Sequence, residues 1–246
     1  MIRHVLALVV VVACLGLAVW QSQRLQDRKD DNARLSAQTR LPTVALETLL
    51  PSPGESRDSA YRRVTVRGTY DVEQEVVLQS RSFKNRPGNH LLTPLRASSG
   101  TAVIVDRGWV PIVINRPGAP LALPPDGEVE LTGVLLPGEA KGLFGVSDPP
   151  PGVVTAIPRV DLERLNEQLP YSVPGVYLRL EEQKPPAADL PEPVPLAALS
   201  EGPHLEYALQ WGFFALVSAI VYAALIRKES RRSRKQRELT QTAPSG

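Results

Sequence analysis

The sequence predicts a membrane-anchored α+β protein in which two transmembrane helices flank a mainly antiparallel β domain outside the membrane. Three observations support this fold class. Uncharged apolar runs occupy residues 5–20 and 207–226, and with a short extension each helix is long enough to cross a bilayer. Segments with strand-like patterns lie between the two runs. Seven basic residues and only two acidic residues follow Ile226.

The chain divides into five predicted segments. These are a transmembrane helix at 1–23, an external, periplasmic β-rich domain at 24–182, a Pro-rich linker at 183–203, a transmembrane helix at 204–226 and a basic cytoplasmic tail at 227–246. We expect the polar residues after Gln23 to extend the first helix. Basic residues collect on the cytoplasmic side of membrane helices. The tail therefore predicts a protein of a bacterial inner (cell) membrane with two spans, both termini cytoplasmic and the large loop outside.

The first apolar run has two alternative interpretations. Arg3 precedes the run, as in a cleaved signal peptide, and residues 11–14 resemble the cleavage site of a bacterial lipoprotein. The apolar run continues for six residues beyond Cys14, where a lipoprotein usually becomes polar. We therefore expect a retained helix, with Cys14 as a small apolar residue inside it.

Alternating or apolar segments bounded by turn residues predict six strands in the external domain. The predicted strands are residues 61–70, 74–80, 90–95, 101–111, 128–136 and 175–182. The short link between the first two predicts a hairpin, Gly68 suggests a bulge, and residues 82–90 form a predicted turn-rich loop. Asp161 is placed to cap a short helix through Leu169. Six strands with one or two short helices indicate a small barrel or a curled sheet.

Composition and motifs favour a protein that is not an enzyme. The net charge is only +2 over 246 residues, which argues against a general nucleic-acid surface. The single cysteine excludes an internal disulfide, and three histidines leave little for a histidine-rich metal site. The sequence contains no Gly-rich phosphate loop, no GxSxG motif and no HExxH motif.

The most specific chemical feature is the segment 202–211. Pro203 suits the start of a helix, so His204 falls in the first turn at the outer membrane interface. The positive end of a helix disfavours an imidazolium, and a neutral imidazole is the form that binds iron. Tyr207 and Trp211 share the helix face of His204 and are placed to flank a flat macrocycle. The alternative is a histidine that caps or anchors the helix among interfacial aromatic residues.

Two further residues are best interpreted as structural. His90 lies at a junction between loop and strand, where a histidine bonded to the nearby backbone is expected. Trp109 follows Gly108, a residue that permits a bulge at the end of a strand. Packing or contact with a partner is the expected role of Trp109.

These motifs, in their order along the chain, resemble the Surfeit-locus family of cytochrome c oxidase assembly proteins. The resemblance extends from Gly16 to about Arg227. The family usually carries a glycine two residues before the Trp of its first motif, where this chain has Ala18. The matching motifs are Trp20 and Gln21 with Arg24, residues 61–64 with 68–71, 88–95 around His90, 107–111 around Trp109, and 202–211.

The resemblance implies an assembly factor of haem-copper cytochrome c oxidase that binds haem a transiently and assists its insertion into the haem-bearing subunit. His204 matches the histidine that the family links to haem, so its metal contact would be through the haem iron only. The resemblance gives no role to Trp20, Gln21, Arg24, His90 or Trp109. The implied partners are the haem-bearing oxidase subunit or a respiratory supercomplex, and membrane lipid, with no nucleic acid.

Two alternatives to this function stay open at the level of the sequence. The first is a stably bound, non-catalytic accessory subunit of a respiratory oxidase or supercomplex. The second is a membrane-anchored periplasmic enzyme, although no pair of nucleophile and base is recognisable in the sequence.

Overall fold

The computed structural model of the chain describes residues 2–50, 59–139, 152–187, 189–196 and 200–241. It contains a helix unit, residues 1–34 with 199–246, and a sheet unit, residues 35–198. In chain order the elements are α1 (Ile2–Thr39), β1 (Val44–Ala45), α2 (Leu46–Leu49), β2 (Arg63–Tyr70), β3 (Val76–Phe83), β4 (Arg86–Ala97), β5 (Ala102–Pro111), β6 (Glu128–Pro137), β7 (Ala156–Ile157), α3 (Leu162–Gln168), β8 (Val176–Lys184) and α4 (His204–Gln241).

Helices α1 and α4 are long and apolar enough to cross a membrane, by length and composition, over His4–Thr39 and His204–Arg231. Helix α1 continues through the polar residues after Gln23, as predicted. Most of the large apolar side chains on both helices are exposed. An exposed apolar surface of this extent is typical of contact with a membrane or with another protein.

The two helices face each other along one stripe each. Side chains with reduced exposure recur at intervals of three and four residues, a spacing typical of paired helices. Hydrogen bonds join His4 to Tyr222 and Gln21 to His204, so the helices run antiparallel. The stripes include Ala7, Val11, Cys14, Ala18, Gln21 and Leu25 on α1, and His204, Ala208, Trp211, Ala215, Ser218 and Tyr222 on α4.

The sheet unit contains one mixed sheet of eight strands among the described residues. The order is β1-β2-β6-β8-β5-β4-β3-β7, and β2 also pairs with β4. The pairings from β2 through β6, β8, β5 and β4 therefore return to β2. Most of the described pairings are antiparallel, while β1–β2, β3–β7 and β5–β8 are parallel.

The main hydrophobic core combines side chains from α2 with alternating side chains of the strands in this circuit. Their alternation follows from the two-residue period of a strand, which places every second side chain on the same face. Members of this core include Leu46, Leu50, Val64, Val66, Leu95, Val103, Val105, Leu131 and Leu178.

The predicted hairpin between the first two strands is wrong. Strand β2 pairs with β1, β4 and β6, whereas β3 pairs with β4 and β7. The link between them forms a 3-10 helix, Val72–Gln74, and the amide of Asp71 donates to the carbonyl of Pro94 at 2.8 Å. The link therefore binds to β4 and does not reverse the chain onto β2.

The predicted bulge at Gly68 is also wrong. The register between β2 and β6 is continuous from Arg63 to Thr69. A Cβ atom at Gly68 would lie 2.3 Å from the carbonyl oxygen of Arg96 on β4. Glycine is required there because the backbone of β4 approaches β2 closely.

Residues 82–90 form a tight hairpin and not the predicted loop. Strand β3 runs to Phe83 and β4 begins at Arg86. The two residues between them, Lys84 and Asn85, have φ values of 51° and 60°, which is the backbone of a two-residue hairpin turn. The short helix predicted after Asp161 is confirmed as α3, where the Asp161 carboxylate accepts from the amide of Arg164 at 3.1 Å.

Candidate functional site

An interhelical hydrogen bond positions the imidazole of His204. Its Nδ1 atom lies 2.9 Å from Oε1 of Gln21 on α1. An amide oxygen only accepts, so Nδ1 carries the proton and donates. Nε2 then keeps its lone pair, and it has no hydrogen-bond partner among the described residues. Metal-binding histidines usually have their other ring nitrogen held by a hydrogen bond in this way.

The start of α4 explains where His204 sits. Gly202 has a φ of +70°, a left-handed conformation that glycine adopts without strain. Pro203 follows, and its carbonyl accepts the first helical hydrogen bond from the amide of Tyr207 at 3.1 Å. A Cβ atom at Gly202 would lie 3.4 Å from Nε2 of His204. Glycine therefore leaves the Nε2 edge of the ring uncrowded.

The hydrogen bond between Gln21 and His204 is shielded from solvent, so it favours one register of the two helices. Gln21 is only 9% exposed, and His204 is half-buried. A buried amide without its partner costs about 1–3 kcal/mol, so the two helices are held in the register that satisfies both groups. One polar pair of this kind can set the register of two packed helices.

The aromatic residues near His204 differ in exposure. Trp211 is half-buried on the same stripe of α4 and contacts Phe214 edge to face at 5.8 Å. Tyr207 is 47% exposed, beside that stripe. Trp20 and Arg24 are exposed on α1, and no hydrogen bond joins them to His204 in the described part of the chain. Of the six predicted residues on the two helices, the structure joins Gln21 and His204.

His90 lies in the sheet unit, and its partner is a side chain and not the expected backbone group. Its Nδ1 is 3.0 Å from both carboxylate oxygens of Asp106. The same carboxylate pairs with Arg179 at 3.2 Å and accepts from the amide of Gly108 at 3.2 Å. His90 is 4% exposed, so this network is a cross-link between β4, β5 and β8.

Trp109 packs inside the sheet unit. It is 2% exposed, and its ring nitrogen donates to the carbonyl of Arg81 at 3.3 Å. The guanidinium of Arg86 lies 4.3 Å from the ring centroid. The backbone of Trp109 exchanges two hydrogen bonds of 2.8 Å with Glu192, so part of the Pro-rich segment pairs with β5.

Sequence reasoning missed a buried ion pair between Glu75 and Arg107. Nη1 of Arg107 lies 3.0 Å from Oε2 of Glu75, and each side chain is 1% exposed. Burial lowers the pKa of the Arg107 guanidinium, while Glu75 opposes that shift. The sequence holds one signal for this pair, because Arg107 follows Val103 and Val105 at two-residue intervals, the spacing of side chains on one face of a strand.

The fold and the site define a class of protein with two long apolar helices, a mixed-sheet domain and a histidine held by a hydrogen bond between the two helices. No group of three or more His, Cys, Asp or Glu side chains able to hold a metal ion occurs among the described residues. The sequence model of the SURF1 family matches residues 8–216, so the chain belongs to the SURF1 family. This confirms the resemblance stated from the motifs. The matched range includes both Gln21 and His204.

Individual relatives agree with this assignment. An uncharacterised SURF1-like protein of Mycobacterium bovis is 28% identical over 247 residues, which cover 94% of this chain and 86% of the relative. A SURF1-like protein of Monosiga brevicollis is 30% identical over 146 residues, 55% of each chain. Surfeit locus protein 1 of Takifugu rubripes is 28% identical over 144 residues, 52% of this chain and 59% of the relative. Membership supports, at the level of the family, a role in cytochrome oxidase assembly.

Proposed function

We propose that this protein is a non-enzymatic assembly factor of haem-copper cytochrome c oxidase that binds haem a and assists its insertion into the haem-bearing subunit. One observation carries the haem proposal: Nδ1 of His204 is held by Gln21 at 2.9 Å, which leaves Nε2 as a free nitrogen ligand. Family membership supports the assembly role.

The residues present fit a haem. Bound haem a would supply a redox-active iron and a planar, largely apolar macrocycle. Nε2 of His204 would bind the haem iron, and Gln21 would fix the orientation of the imidazole. Gly202 leaves the Nε2 edge open because it lacks a side chain. Tyr207 and Trp211 would offer aromatic surface to the macrocycle.

The proposal places α1 and α4 across a bacterial inner membrane, with both termini in the cytoplasm and the sheet unit outside. The apolar lengths of the helices and the basic residues after Ile226 support this topology. Alkaline phosphatase fused within the loop at Ser59 should be active, and the same enzyme fused at Ser245 should be inactive. Activity only at Ser245 would reverse the topology.

The ligand assignment is tested by His204→Ala. The full-length variant, purified in detergent from cells that synthesise haem a, should lose most of its haem absorption, because it lacks the imidazole nitrogen that would bind the iron. Protein abundance should fall only modestly, since the variant leaves the buried amide of Gln21 without its partner, at a cost of about 1–3 kcal/mol. Glu206→Gln is the matched control, because Glu206 is exposed in the same helical turn.

Two outcomes would contradict the proposal in different ways. A wild-type haem spectrum in His204→Ala would remove His204 as the ligand. A protein that binds no haem even in its wild-type form, but is needed for oxidase yield, would replace the haem-binding function with that of a scaffold or accessory subunit.

A further inference from the structure

The pair of helices α1 and α4 has two flanks. The helices run antiparallel, and Gln21 on α1 faces His204 on α4 at 2.9 Å. A residue three positions further along an α-helix lies about 60° round the axis. Because the helices are antiparallel, equal offsets from two facing residues lie on the same side of the pair. Arg24 and Tyr207, each three positions after one of the facing residues, therefore share a flank.

The flank of Arg24 and Tyr207 also carries accessible aromatic surface. Trp20 precedes Arg24 by one turn of α1, so it lies on this flank. Trp20 is 54% exposed and Tyr207 is 47% exposed. At the same level, the opposite flank carries Ser22 of α1 and Leu205 of α4. A flat macrocycle whose iron is bound by His204 would therefore find aromatic rings on the flank of Arg24.

The polarity of this flank changes at the level of His204. Tyr207 lies about 4.5 Å along the helix axis to one side of that level, and Arg24 lies about the same distance to the other side. Helix α1 is uncharged from Val5 to Trp20 and strongly polar after Gln21. Haem has a matching division, because both of its propionate groups are attached to one edge of a largely apolar ring.

The guanidinium of Arg24 is available to a carboxylate. Its side chain is exposed, and it makes no hydrogen bond or ion pair with any residue that the structure describes. Arg28, one turn further along this flank, is also exposed. Lys29 differs, because its ammonium already pairs with Glu201 at 3.7 Å. Arg24 is therefore an uncompensated positive charge, and it is the basic residue of α1 closest in sequence to Gln21.

The acidic residues of this region do not neutralise Arg24. Asp27 follows it by three positions, but no ion pair joins the two within the described part of the chain. Asp27 also lies further round α1 from His204 than Arg24 does. Glu206 is exposed on the face of α4 that is turned away from α1.

We propose that Arg24 binds a propionate carboxylate of the haem and thereby orients the macrocycle on this flank of the helix pair. The inference rests on the proposed haem function and adds a second recognition group to it. An arginine and a carboxylate form charge-assisted hydrogen bonds with a defined geometry. Arg24 would hold the carboxylate edge, while Trp20 and Tyr207 would contact the apolar part of the ring.

Haemin and its dimethyl ester test this contact, because the ester keeps the iron and the ring but lacks both carboxylate charges. Each compound would be titrated into the full-length protein in detergent and followed by absorption. The wild-type protein should bind haemin about five-fold more tightly than the ester, the effect of one exposed ion pair. Arg24→Gln should lose this preference and bind the ester as the wild type does. Arg24→Lys keeps the charge and should retain part of the preference.

Arg34→Gln is the matched control, because Arg34 is exposed on the same helix ten positions beyond Arg24, and it should keep the wild-type preference. Equal binding of the two compounds to the wild-type protein would overturn the role of Arg24 in favour of contact with lipid headgroups. Equal weakening of both compounds by Arg24→Gln would also overturn that role. Both results leave His204 as the ligand. Binding of neither compound to the wild-type protein would instead contradict the proposed haem site itself.

Discussion

In the helix unit and in the sheet unit, the Nδ1 atom of one histidine is hydrogen-bonded to a side chain, but the two side chains differ in charge. In the helix unit, His204 donates to the neutral amide oxygen of Gln21, a single contact between two helices. In the sheet unit, His90 lies 3.0 Å from both oxygens of the Asp106 carboxylate. Asp106 also binds Arg179 and the amide of Gly108. The first histidine is half-buried and the second is 4% exposed.

The single contact of His204 orients one side chain, whereas the contacts of His90 belong to a network that connects strands. Asp106 joins three adjacent strands, because His90 lies on β4, Asp106 on β5 and Arg179 on β8. Removal of one member leaves buried charge or buried donors without partners, so the free energy of unfolding decreases. The contact between Gln21 and His204 fixes one ring, so its loss should affect binding at Nε2 more than folding.

The largest expected effect belongs to Asp106→Ala. The substitution leaves Arg179 and His90 without their shared acceptor, and we expect the free energy of unfolding to fall by about 3–5 kcal/mol. Denaturant unfolding of the purified protein, followed by tryptophan fluorescence, would measure the change. Asp126→Ala is the control, because Asp126 is exposed and should change stability by less than about 0.5 kcal/mol. A loss for Asp106→Ala no larger than for this control would mean that the network is not structural.

The second-largest expected effect belongs to Gln21→Ala, and this prediction rests on the proposed haem site. Removal of the acceptor frees the His204 ring to rotate and exchange tautomers, and loss of such a partner typically lowers metal affinity about 10–100-fold. Haem titration followed by absorption would measure this change. Gln21→Glu keeps an acceptor oxygen and should restore most of the affinity.

Tyr222→Phe is the matched control for Gln21→Ala. It removes the bond between Tyr222 and His4, which also joins a histidine on one helix to the other helix. Haem affinity should stay unchanged in this variant. If Tyr222→Phe weakens haem binding as much as Gln21→Ala, the helix pairing in general matters and not the orientation of His204. If wild-type protein binds no haem, the proposed function fails before this comparison applies.

The smallest expected effect belongs to Gly202→Ala. The added Cβ atom would lie 3.3–3.4 Å from Cδ2 and Nε2 of His204, and a φ of +70° costs a non-glycine residue about 1–2 kcal/mol. We expect haem affinity to fall by about five-fold or more, with His204 still present. Gly212→Ala is the matched control, since a Cβ atom there meets nothing within 4 Å. Equal affinities of the two variants would show that the Nε2 edge tolerates a side chain.

The sequence by itself determined the local elements of this protein. Two-residue alternation identified the strand around Val64, and an apolar run next to turn residues identified the strand around Val103. Asp161 identified the start of α3 through a side-chain cap within three residues. Apolar run lengths identified α1 and α4. These signals are readable because they arise from interactions between residues that are close along the chain. The family was likewise recognisable from the order of the short motifs.

Only the tertiary structure decided which of these elements and side chains meet. Gln21 and His204 are separated by 183 positions, and Glu75 and Arg107 by 32, so no local periodicity pairs them. The residues around Gly68 are compatible with a bulge and with a closely packed strand. The close approach of β4 shows that the strand is the correct structure. The partner and the burial of each histidine therefore depend on contacts between distant parts of the chain.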